Sequence, residues 1–171
     1  MFYKILGLPA HALIVHVAVV FIPLAVVAAI VYALVPSTRR HVWWIVGALG
    51  VIAPLAGWAA RLSGNEYRNY WISHGASGAF LDKINTHMSY GNSTSLLATG
   101  LGAVMLVMVF WAIPWPRGSA TSTGSAAAAP ARPQVLVLLT IVVMVALALV
   151  TAYYVFKTGD TGARATHPAL P

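Results

Sequence analysis

The chain has 171 residues, 60% of them hydrophobic and 8% charged, with a formal net charge of +7. A soluble domain carries about 25% charged residues to face water, so this composition excludes a soluble globule and suits a bundle wrapped in lipid. The absence of cysteine excludes disulfides, thiolate metal sites, iron–sulfur ligation and cysteine nucleophiles.

Four apolar segments, about 9–35, 41–62, 90–113 and 134–156, each exceed the roughly 20 residues a helix needs to cross a bilayer. They predict an all-α fold: an integral membrane four-helix bundle forming a single transmembrane domain over 1–171. The first apolar run is too long for a signal peptide and no small-residue cleavage site follows it, so it is read as a retained helix. His11 and His16 stand at its head. His16 is seven residues into the span, about 10 Å along a helix. An unpaired polar ring there costs about 1–3 kcal/mol, so it is either satisfied by a carbonyl, hydroxyl or water, or it binds a ligand. His11, five positions earlier, projects about 140° away from His16 on a regular helix, so the two do not face one small site together.

Val35-Pro36-Ser37-Thr38-Arg39-Arg40 reads as a tight turn, followed by an aromatic belt at Trp43 and Trp44. Helices one and two are therefore antiparallel neighbours. Pro54, flanked by Gly50 and Gly57, predicts a kink and close helix contact in the second span. The connection Ser63–Thr86 is polar and aromatic, with Glu66, Arg68, His74, Asp82 and Lys83 beside Tyr67, Tyr70, Trp71 and Phe80. It predicts a polar cap between helices two and three, ordered on the end of the bundle, the alternative being an interfacial anchor.

The third span follows His87, with Gly91, Thr94 and Ala98 on one helical face and Asn92, Ser95, Thr99 and Gly102 on the next. Small residues let a second helix approach. The same stripe beneath an imidazole admits a flat macrocycle. About 114–133 is rich in Pro, Ala, Ser, Thr and Gly and reads as a disordered linker. The fourth span ends in a short tail holding His167.

Four spans put five of the six histidines, His11, His16, His74, His87 and His167, on the side that carries both termini. That side has six Lys and Arg, namely Lys4, Arg61, Arg68, Lys83, Lys157 and Arg164; the other has Arg39, Arg40, Arg117 and Arg132. With the Arg39-Arg40 turn assigned to the cytoplasm, the histidine face and both termini are extracytoplasmic in a bacterial inner membrane. The basic residues stand singly at span ends, Arg39-Arg40 apart, which marks contact with the lipid bilayer and no nucleic acid.

The three acids, Glu66, Asp82 and Asp160, all fall outside the spans. This argues against a carboxylate-bridged di-iron bundle and against an ion-coupled transporter, which keeps an intramembrane acid. Zinc or copper held by His11, His74, His87 and His167 stays open, without a supporting HxxxH or HxH spacing. A bis-histidine haem takes one imidazole from each of two facing helices. His16 and His87 are the candidate axial ligands of a haem b, with His11, Gly91 and Thr94 lining the pocket.

Three segments together resemble the bacterial membrane family catalogued as domain of unknown function 2231. They are Leu8-Pro9-Ala10-His11-Ala12-Leu13-Ile14-Val15-His16, His87-Met88-Ser89-Tyr90-Gly91, and the glycine-rich Thr158-Gly159-Asp160-Thr161-Gly162-Ala163-Arg164 after the last helix. The resemblance implies a four-helix membrane domain, found alone or fused to Rieske-type domains, and so an expectation of electron transfer and haem. Many members carry a histidine where this chain has Asp160. Asp160 is expected to orient an imidazole from the second shell, as is His74. The expectation is a b-type haem electron-transfer subunit of a respiratory or redox membrane complex, or a homo-oligomer. The alternative is a non-catalytic accessory or assembly subunit of a larger complex.

Overall fold

The computed structural model describes residues 4–5, 8–112 and 133–166. Lys4–Ile5 and Leu8–Pro9 pair as a minimal antiparallel bridge ahead of the first helix. The rest is helical: α1 Ala10–Leu34, a 3₁₀ turn Pro36–Thr38, α2 Arg39–Ser73, α3 Gly78–Val107 ending in a π-helical turn Met108–Ala112, and α4 Gln134–Thr166. Each of the four helices is long and apolar enough to cross a membrane, as a multi-pass membrane protein requires. The predicted linker lies outside the described residues apart from Pro133, as does His167.

Successive helices pack side by side and α4 closes back on α1, so α1 and α3 lie diagonally across the bundle. The core uses small residues on all the helices, such as Ala25, Ala29, Ala53, Ala98 and Ala148, and fills the remaining space with Tyr32, Leu101, Met105, Met108 and Met144. Large apolar side chains face outward instead, Leu55 at 64% and Phe156 at 70% exposure among them. A soluble protein avoids so broad an apolar surface, whereas a lipid-bound one requires it.

Pro54 stays inside α2. Its missing N–H frees the Gly50 carbonyl, and Gly102 of α3 sits against that oxygen. A Cβ at Gly102 would collide with Gly50 O and lie 2.7 Å from Pro54 Cγ. One turn further, Ser95 Oγ donates to Gly57 O at 3.0 Å, and Trp58 Nε1 donates to Thr99 Oγ1 at 3.0 Å. The expected close contact at Gly50 and Gly57 is therefore made with α3. At the opposite end of α1, Arg39 donates to the carbonyls of Tyr32 and Ala33 at 2.8 and 2.6 Å, satisfying acceptors the last turn leaves open.

The polar connection differs in form from the expected cap. α2 runs to Ser73 and α3 begins at Gly78, so Ser63–Thr86 is a helical hairpin that continues both spans, not a separate layer on the bundle end. At 1.5 Å per residue α2 is about 52 Å long, well beyond the roughly 30 Å of a hydrocarbon core. The turn is tight because Gly75 and Gly78 adopt φ of 86° and 60°, conformations that cost glycine little. The segment Thr158–Arg164 is also helical, α4 extending through it rather than stopping at about 156.

Candidate functional site

The end of the bundle that holds the start of α1, the later part of α2, the early part of α3 and the last turns of α4 encloses a cavity of about 760 Å³. The level is set by helix length. Gly64 is nine residues before the end of α2 and His87 nine after the start of α3, so both lie about 13–14 Å below the hairpin turn. His11, in the first turn of α1, arrives at the same level.

The rings of His11 and His87 face across the diagonal, with centroids 6.5 Å apart and planes at 71°. Small residues make this approach possible. A Cβ on Gly64 would lie 3.2 Å from His11 Cε1, and one on Gly162 would lie 2.9 Å from His87 Cε1. Each imidazole thus lies directly on a neighbouring helix backbone. Tyr67 also stacks on His11, at 6.0 Å and 23°.

The hydrogen-bond partners favour the same tautomer in both rings. Ser63 Oγ lies 3.0 Å from His11 Nδ1 and donates its own proton to Ala60 O at 3.0 Å. The hydroxyl therefore accepts, and His11 Nδ1 carries the proton. His87 Nδ1 lies 3.0 Å from Thr158 O, which is a carbonyl and accepts. Thr161 Oγ1, 3.4 Å from the same nitrogen, gives its proton to Lys157 O at 2.8 Å. With Nδ1 protonated in a neutral ring, Nε2 carries the lone pair. That is the state a metal-ligating histidine adopts, with its second nitrogen held by an outer acceptor.

Gly91 and Thr94 line the same cavity. Thr94 Oγ1 sits 2.8 Å from Thr158 Oγ1, tying α3 to α4 beside His87. Around Gly159 a Cβ would meet nothing within 4 Å, and around Gly91 only Thr158 Cγ2 at 3.9 Å, so backbone is open to the cavity there. The rim is aromatic, with Trp71 edge-on to Tyr67 at 6.0 Å and to Phe80 at 5.3 Å. Arg61 and Arg68 also line the cavity, and no carboxylate among the described residues does.

The other candidates are placed differently. His16 borders the cavity but is exposed, and its Nδ1 bonds the Ala12 carbonyl of its own helix. The ring opposite His87 is that of His11, one turn and a half nearer the helix start. His74 sits at the hairpin turn, with Nδ1 2.8 Å from Tyr70 O and its ring 4.0 Å from that of Tyr70. Asp160 pairs with Arg164 at 3.0 Å on the surface of α4, and the acceptor that orients His87 is Thr158 O. Among the described residues no three His, Cys, Asp or Glu side chains gather to hold a metal ion; His167, one of the four histidines left open for zinc or copper, lies outside them.

Sequence reasoning missed Ser63, Gly64, Tyr67 and Arg61 as parts of this site. Gly64 carried a usable signal, because a glycine inside a helix marks close approach of another group. The chain matches no known family, no curated protein and no solved structure.

Proposed function

We propose that this chain is an electron-transfer subunit of a bacterial inner membrane that holds a b-type haem between His11 and His87. The observation that carries the reading is two imidazoles from diagonal helices, each with Nδ1 within hydrogen-bond distance of an oxygen on a neighbouring helix, meeting across a shared cavity. His11 and His87, with ring centroids 6.5 Å apart, would hold the iron of such a group through their imidazole nitrogens. The cavity volume falls within the roughly 300–1,000 Å³ of cofactor sites. Its glycine-exposed walls would accept a flat ring against backbone, and its two imidazoles suit a haem iron. Bound haem would supply one-electron transfer.

In this reading the protein's groups have defined tasks. Ser63 and the Thr158 carbonyl hold the imidazoles in the ligating tautomer. Tyr67 and Gly64 hold His11 with a ring and a backbone, so its orientation is fixed before any ligand arrives. The apolar wall, with Ile22, Val155 and Ile84, excludes water.

The test is the absorption spectrum of detergent-purified protein from haem-replete cells. A Soret band is expected that His11→Ala and His87→Ala each abolish and His16→Ala leaves in place. A colourless protein that takes up no added haemin overturns the reading.

The helical hairpin extending past the apolar spans, with half-buried Trp71 and exposed Phe80 near its tip, favours a second reading: an accessory subunit that docks a larger complex there. That reading predicts migration with a larger complex on native gels and a thermal midpoint that neither histidine substitution moves.

A further inference from the structure

We infer that Arg61 and Arg68 select the ligand of the histidine cavity by its negative charge, each holding one carboxylate of the macrocycle that the imidazoles grip at its centre. The inference rests on the haem reading and adds the recognition chemistry. Arg61, Gly64 and Arg68 are spaced i, i+3 and i+7 along α2 and so share a face, and all three line the cavity. Gly64 is the residue on which His11 lies. The two arginines therefore bracket the His11 level, about 4–5 Å to one side and 6 Å to the other along the helix.

Both guanidiniums are positioned and keep donors to spare. Arg61 stacks its face over the Trp58 ring at 4.7 Å, which consumes no N–H group. Arg68 gives Nε–H to Asn85 Oδ1 at 2.7 Å, which leaves the N–H groups of its two terminal nitrogens. Neither forms an ion pair; among the described residues that contact is Arg164 with Asp160. Two fixed cations in a largely apolar cavity, with no carboxylate lining it among the described residues, call for a dianionic guest. The planar fork of each matches a carboxylate through two parallel hydrogen bonds. Lipid phosphates offer related oxyanion chemistry from the bilayer.

The experiment titrates the full chain, purified in lipid-free neutral detergent, with iron protoporphyrin and with its dimethyl ester, following the Soret band. Wild type is expected to bind the free diacid at least about tenfold more tightly, the equivalent of one charged hydrogen bond. The Arg61→Gln/Arg68→Gln variant is expected to bind both forms alike while keeping the bis-histidine spectrum, and Arg61→Lys/Arg68→Lys to keep part of the preference. Equal binding of diacid and ester by wild type overturns the arginine assignment and leaves the haem reading standing. Uptake of neither compound overturns both. If added phosphatidylglycerol is needed for binding and the diacid holds no advantage, the arginines serve lipid phosphate and the inference fails.

Discussion

At the scale of single residues, the site depends on where two protons sit. Ser63 Oγ lies 3.0 Å from both Ala60 O and His11 Nδ1, so with its one proton on the carbonyl it accepts from the imidazole. Ser63→Ala removes that acceptor and frees the imidazole to flip or switch tautomer. Loss of such an outer partner lowers ligand affinity about 10–100-fold, which haemin titration would read, with helicity unchanged. Two glycines of α4 separate steric from conformational effects. Gly162→Ala places a methyl 2.9 Å from His87 Cε1, whereas Gly159→Ala meets nothing within 4 Å. The first is expected to displace His87 and abolish the Soret band; the second is expected to retain it. The 140° rotation between His11 and His16 was legible from helix geometry, and it holds, since one ring meets His87 and the other bonds its own backbone. Which ring would do so was not legible. The choice depends on the level of His87, and that level is set by α3 starting at Gly78, twelve residues before the apolar run at Tyr90.

At the scale of elements, α2 and α3 form one stiff hairpin pinned where Gly102 meets Gly50 and Pro54. Gly102→Ala forces the two backbones apart, an overpacking change that costs about 1–3 kcal/mol. Gly47→Ala, at a position where a Cβ meets nothing within 4 Å, is expected to stay within about 0.5 kcal/mol of wild type. Thermal unfolding in detergent compares the two. The four spans were readable because 20-residue apolar windows are unambiguous. The hairpin beyond them was not, because Ser63-Gly64-Asn65 has the composition of a loop. Inside the protein that same glycine receives the His11 ring and the serine receives its proton. Residues that look like punctuation were serving a packing demand from another helix, which no local pattern reveals. The Thr158–Gly162 stretch was masked in the same way, two of its residues supporting His87 while the helix continues.

At the scale of the whole molecule, the up-and-down order places the histidine end and the Arg39-Arg40 end on opposite faces. The chain lacks cysteine, so single replacements at exposed turn positions report topology without background. Ser77→Cys in the hairpin turn is expected to react with a membrane-impermeant maleimide in intact cells, and Ser37→Cys in the first turn is expected to react only after lysis. The reverse pattern would invert the proposed orientation while leaving the fold untouched. The cavity has a further property: every one of the four helices supplies part of it, and α4 brings both the carbonyl that holds His87 and the glycine on which that ring rests. A nascent chain that has inserted three spans therefore presents His11 without an oriented counterpart. A chain truncated after residue 133 lacks both that carbonyl and that glycine and is expected to take up no added haemin, which a Soret titration would read.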